Sequence, residues 1–179
     1  MNLYYVLNAV SLILRYISLF ILVPCICAII LGEYHVCIPF VAASIISFCF
    51  GFLFKSKNNS EEDINNLSRT DAISIVLITW LFMFLLGAIP FIYFGLSPID
   101  AIFESVSGVT ATGATVLSDF TIYPQTMFFW RSFSQWIGGL GIVFFTIAVL
   151  PVFGMGNMPL LTAESVGPIR TKLHPQIAV

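Results

Sequence analysis

The chain has 179 residues, 59% hydrophobic and only 9% charged, with a formal net charge of −2 and a mean hydropathy of +1.00. Soluble domains carry roughly a quarter charged residues, so that class is excluded. No basic cluster exists to neutralise phosphates, which removes nucleic acid as a partner. The 18 phenylalanines suit lipid-facing and helix-packing surfaces, and membrane lipid is the first partner implied.

Four apolar stretches approach or exceed the roughly 20 residues needed to cross a hydrocarbon core. The first covers about residues 5–31. It has no charged region before it and no small-x-small cleavage site after it, so it reads as an uncleaved membrane helix. Arg15 interrupts it about a third of the way along. Three readings are open: a side chain snorkelling to the cytoplasmic interface, a later helix start, or a bundle-facing role.

A short break at Gly32-Glu33-Tyr34-His35 precedes the second stretch, about residues 36–54. Cys25, Cys27, Cys37 and Cys49 fall in or beside these runs. Cys25-x-Cys27 lacks the second ligand pair of a zinc site, so the cysteines read as small apolar helix residues. A Cys27–Cys37 bridge across the short outer turn is left open, although spacing alone does not support it.

The polar segment 55–71 contains Lys55, Lys57, Arg69 and the acidic run Glu61-Glu62-Asp63. The third stretch, about residues 72–96, carries no charge, and the fourth covers about residues 127–153. Lysine and arginine occur between stretches two and three and after stretch four, at Arg170 and Lys172. The two other connections have none. The positive-inside rule then places the N-terminus, the central loop and the C-terminus in the cytoplasm.

The connection 97–126 carries the chemistry. Ser97-Pro98-Ile99-Asp100 is a helix start: Ser97 caps, Pro98 suits the first helical position, and Asp100 accepts from free amides. The helix has only about three turns, too few to span a bilayer. The hydroxyl-rich run Thr110-Ala111-Thr112-Gly113-Ala114-Thr115-Val116 follows, then a polar return through Ser118, Asp119 and Thr121. A helix that enters, turns and leaves on one side is tolerated only where protein buries it or where it lines a water-filled cavity. Successive carbonyls can replace the water of a potassium ion, and the backbone angles required favour glycine, here Gly113. The helix C-terminus favours a cation. Asp100, Glu104 and Asp119 make the outer mouth acidic, with no basic residue expected there. An ordinary outer loop, in which threonine and glycine simply make turns, is the competing reading.

The run from Asp100 through Glu104, Gly108 and Thr110 to Val116 resembles the first pore loop of the Trk/Ktr/HKT potassium transporter superfamily. The following Phe129-Trp130-Arg131-Ser132-Phe133-Ser134-Gln135-Trp136-Ile137-Gly138-Gly139-Leu140-Gly141-Ile142 is similar to the start of its next helix, closest to the bacterial TrkH branch. The resemblance implies an all-α integral membrane fold with four transmembrane helices plus a re-entrant pore helix and filter loop. Residues 1–54 would form the extra N-terminal helix pair and 55–71 a cytoplasmic loop. Residues 72–156 would form one helix–pore loop–helix repeat, with pore helix 98–109 and filter 110–116, and 157–179 a cytoplasmic tail. It also implies that the carbonyls of Ala111 and Thr112 coordinate potassium, with Thr110, Gly113, Ala114 and Thr115 as filter support. Potassium is the transported substrate, with no prosthetic group. A bacterial inner-membrane location and a cytoplasmic nucleotide-binding regulatory ring protein as partner follow from the same resemblance.

Arg131 is expected as a snorkelling interfacial residue, with a packing or pore-rim role as the alternative the resemblance adds. Gly138, Gly139 and Gly141 read as close-packing positions, or as a hinge. Pro151, Gly154 and Gly156 read as a helix end, and His35 and His174 as surface residues. The family encloses its pore with four repeats, and one loop supplies about a quarter of the coordination shell. The chain therefore reads as a transport component completed by the missing repeats or by a homo-oligomer, or as a truncated, non-conducting fragment or modulatory subunit. No nucleophile–base pair, metal-ligand set or phosphate loop suggests an enzyme. Coupling to another ion is left open.

Overall fold

The computed structural model describes residues 3–54 and 68–149. Within them the chain is all-helical and membrane-embedded. In order come α1 (Leu3–Ile30), a single 3-10 turn (Tyr34–Val36), α2 (Cys37–Leu53), α3 (Arg69–Tyr93), α4 (Pro98–Val109) and α5 (Gln125–Val149). The segments Leu3–Ile30, Tyr34–Leu53 and Thr70–Tyr93 are long and apolar enough to cross a membrane. The 25 residues of α5 extend about 37 Å at a rise of about 1.5 Å each. The 12 residues of α4 reach only about 18 Å, less than the hydrocarbon thickness. Pro151, Gly154 and Gly156, read as a helix end, lie outside the described residues, as do Lys55, Lys57 and the tail.

Helices α1 and α2 form an antiparallel hairpin held by serines as well as by apolar packing. Ser44 Oγ donates to Ser18 O and Ser47 Oγ to Leu14 O, each at 2.8 Å. Small hydroxyl side chains let the backbones approach, and the bonds they make are favoured where no water competes. Near the far end of α2, Gly51 leaves room for the Arg15 stem: a Cβ there would lie 2.8 Å from Arg15 Cγ.

That placement decides between the readings of Arg15. Helix α1 begins at Leu3, so a later start is ruled out. The guanidinium is level with the last turn of α2, where it lies 5.5 Å from the Phe52 ring centroid. Its Nε donates to Ser11 O at 3.2 Å and Nη2 to Ser11 Oγ at 3.0 Å. Arg side chains in helices point toward the N-terminus, so the charge is directed back along α1 toward the end at which α2 finishes.

Helix α3 starts with a capping box: Ser68 Oγ accepts from the Asp71 amide at 3.3 Å, and Asp71 Oδ2 accepts from the Ser68 amide at 3.2 Å. Further along, α3 packs on α1, α2 and α4. The core contains Val10, Leu14, Phe40, Leu86, Phe91 and Met127. Trp130 of α5 ties the layers together. Its ring meets Phe40 edge-on at 5.6 Å, and its Nε1 donates to Gly87 O at 3.2 Å. Leu12, Leu19, Ile26, Leu77, Leu81 and Leu85 are exposed. An apolar outer surface of this kind is what lipid, unlike water, solvates freely.

Candidate functional site

The site is built on α4, which is wedged between α3 and α5. Its start is fixed by Ser97, whose Oγ accepts from the Asp100 amide at 3.2 Å and donates to Asp100 Oδ2 at 2.7 Å, with Pro98 at the first position. Small residues allow the wedge to seat. A Cβ on Gly87 of α3 would meet Ser105 Oγ, one on Gly108 would meet Ser134 Oγ, and one on Gly138 would fall on the Val109 carbonyl. Gly138 is thus a close-packing position. Gly139 and Gly141 face open space among the described residues.

The C-terminus of α4 closes in a Schellman arrangement. Ala111 N donates to Gly108 O at 2.9 Å and Thr112 N to Ser107 O at 3.0 Å. The residue that must be left-handed in this motif is Ala111, with φ 56°, where glycine is usual. Gly113 is also left-handed, at φ 75°. Thr112 is therefore flanked by two left-handed residues. Among the described residues no hydrogen bond ends on the carbonyl of Ala111 or Thr112, and residues 111–116 are exposed. Thr110 Oγ1 donates to Val106 O at 2.7 Å and shares a 2.8 Å bond with Thr112 Oγ1.

Behind the loop lies a polar scaffold. Glu104, fully buried, receives the Thr115 hydroxyl at 2.6 Å and the Val116 amide at 2.8 Å on Oε1. Its Oε2 receives Arg131 Nε at 2.7 Å. Ser107 Oγ donates to Ala114 O at 2.6 Å, and Arg131 Nη2 approaches the same oxygen at 3.4 Å. The Ala114 carbonyl is thereby turned into the scaffold, whereas those of Ala111 and Thr112 are left available.

Two sequence expectations are corrected here. Arg131 does not snorkel: it reaches inward to a buried carboxylate, its side chain only 14% exposed. Glu104 is correspondingly no part of an open acidic mouth, and that region does contain a basic residue. Asp100 is consumed in the cap of α4. Asp119 is the exposed carboxylate, held below its ordinary pKa by the hydroxyl and amide of Thr121. The missed signal was spacing: Glu104 and Ser107, three apart on one helix face, point the same way. Arg131 is the only lysine or arginine between residues 70 and 169.

A second polar junction was invisible in the sequence. Glu33, in the turn after α1, caps α5. Its Oε1 receives the Gln125 amide and its Oε2 the Thr126 amide, both at 3.0 Å, and Oε2 also receives the Thr126 hydroxyl at 2.6 Å. Burial pushes this carboxyl up, but the Thr126 and Gln125 donors and the nearby His35 hold it below its ordinary 4.5. The N-terminal hairpin is thus fastened to the helix that carries Arg131.

Comparison with known proteins agrees with this architecture. The TrkH family model, described as a cation transport protein, matches residues 38–178. The Trk system potassium uptake protein TrkH of Vibrio parahaemolyticus is 35% identical over 179 aligned residues, covering 97% of this chain and 36% of that protein. TrkG of Escherichia coli is 34% identical over 167 residues, covering 90% of this chain and 33% of that protein. The crystal structure of the potassium transporter TrkH from Vibrio parahaemolyticus superposes with a TM-score of 0.76 at 31% identity, covering 91% of this chain and 35% of that one. The chain spans about a third of the length of the curated relatives it matches. It belongs to the TrkH family of cation transport proteins.

Proposed function

We propose that this chain supplies one wall of a potassium-selective filter for uptake across the bacterial inner membrane. The carbonyls of Ala111 and Thr112 face the ion in this reading. Gly113 permits the turn, and Thr110, Ala114 and Thr115 hold the loop against its scaffold. The observation that carries the reading is the loop itself. Two left-handed residues flank Thr112 at the C-terminus of a short helix, leaving two carbonyls without partners among the described residues. A dehydrated cation is what such carbonyls stabilise, and the helix terminus adds negative potential. The relatives' names, Trk system potassium uptake proteins, supply the identity of the ion.

One wall provides about a quarter of the coordination shell. The other walls come from further repeats or from copies of this chain, and a cytoplasmic nucleotide-binding ring protein gates the assembly. Orientation follows the basic residues, with both termini and the segment 55–71 on the cytoplasmic side. The second reading is a non-conducting fragment or modulatory subunit, favoured by there being one short helix and loop of this kind among the described residues.

The test is rubidium uptake in a bacterium lacking its own potassium transport, expressing this chain or its Gly113→Asp variant. Uptake by the first and not the second supports a pore assembled from this chain. Uptake by neither supports the second reading.

A further inference from the structure

We propose that Cys25 and Cys37 are a disulfide-forming pair that clamps the turn of the α1–α2 hairpin, and with it the hold of Glu33 on α5. The two thiols occupy one gap between the antiparallel helices. Cys25 Sγ lies 3.9 Å from Cys37 O, and Cys37 Sγ lies 3.9 Å from Cys25 O. Each side chain therefore reaches over the other residue's backbone, the arrangement from which two facing sulfurs can join. Both are free and half-buried, reachable by small oxidants.

The pairing is specific. Cys27, two residues further along α1, is turned about 200° from Cys25 around the helix axis and leaves the α2-facing side. That excludes the Cys27–Cys37 bridge left open by the sequence and substitutes Cys25 as partner. Cys49 is exposed near the opposite end of α2.

A bridge would close residues 25–37 into a ring containing Gly32, at φ 74°, and Glu33. Glu33 is the residue that receives the Gln125 and Thr126 amides. Forming the Sγ–Sγ bond releases two protons and two electrons from the two thiols. Dioxygen accepts both under copper catalysis, giving hydrogen peroxide. In a cell, a disulfide-exchange protein on the same side of the membrane takes the electrons and becomes a dithiol. The geometry rests on no transport activity, and only that natural acceptor depends on the orientation proposed above.

The experiment uses the purified full chain in detergent micelles, oxidised with copper–phenanthroline in air. Alkylation after denaturation and peptide mass mapping locate any bridge. The expected result is a Cys25–Cys37 linked peptide, with Cys27 and Cys49 alkylated and full reversal by dithiothreitol. Oxidation should raise the melting temperature and slow amide exchange at Gln125 and Thr126. The Cys27→Ser variant should behave as the parent chain, and Cys25→Ser and Cys37→Ser should form no bridge. Four alkylatable thiols after oxidation of the unmodified chain, or a link through Cys27, would overturn the pairing. A Cys25–Cys37 link that leaves exchange at Gln125 and Thr126 unchanged would overturn the clamp. Rubidium uptake is not read in any arm, so failure here leaves the transport reading untouched.

Discussion

Glu104 and Arg131 meet at 2.7 Å across the gap between α4 and α5, and the same carboxylate anchors the amide of Val116 at the end of the 110–116 loop. The pair is therefore both a bridge between helices and a post for the loop. Removing one partner of a buried pair costs about 3–5 kcal/mol, because the other charge is left uncompensated. Glu104→Ala should lower stability by about that amount and speed hydrogen exchange at Val116 and Leu117. The charge swap Glu104→Arg with Arg131→Glu should not restore protection, since Val116 N–H and Thr115 O–H still need an acceptor at position 104. Restoration by the swap would reduce the pair to a simple charge contact.

Gly138 faces the Val109 carbonyl so closely that no Cβ fits. Gly138→Ala must move α4 or α5, and overpacking of this kind costs about 1–3 kcal/mol. Rubidium uptake should fall with it, because Val109 leads directly into the loop. Gly139→Ala and Gly141→Ala, which meet nothing within 4 Å here, should leave the melting temperature of the chain unchanged or raise it, since alanine favours a helix interior by about 0.5–1 kcal/mol. Equal effects at all three positions would contradict the packing account.

Ala111 adopts φ 56° at a position where glycine is the usual occupant. A left-handed L-residue costs about 1–2 kcal/mol, which glycine avoids. Ala111→Gly should therefore keep the loop geometry and raise stability by up to about 1 kcal/mol, the remainder being lost to backbone entropy. Ala111→Val should be destabilising, since a branched Cβ tolerates this conformation worst. Thermal melts of the two variants decide the point.

Glu33 gives the fold a pH dependence whose sign is fixed. Its folded pKa lies below 4.5, so the stability it contributes is fully present above that value and is lost as pH falls through the lower, folded pKa. Glu33→Gln should cost about 1 kcal/mol at neutral pH, as for loss of a helix cap, and should flatten the melting-temperature profile below pH 4.5. Asp119 titrates in the same direction, so Asp119→Asn serves as the control: it should leave the Glu33-dependent step in place.

The legible parts of this protein were those written in local pattern. Long apolar runs mark α1, α2 and α3 because lipid demands them, Arg15 being the one charge within α1. Ser97-Pro98-Ile99-Asp100 marks the start of α4 because the caps of a helix are chemically specific. Pairings across the fold were not legible. Glu33 and Thr126 are 93 residues apart, and nothing local to either one names the other. Arg131 was misread for the same reason: an arginine near a helix end has an ordinary interfacial explanation until a buried Glu104 is placed opposite it. The approach of Cys25 to Cys37 was not legible either, because the sequence does not say which face of α1 meets α2.

The most direct test of the central claim is anomalous scattering from thallium ions, as potassium substitutes, bound to the transporter assembled around this chain. The account predicts a peak in contact with the carbonyl oxygens of Ala111 and Thr112, lost in Gly113→Asp. Thallium bound elsewhere along the ion path, with those two carbonyls bare, would contradict it.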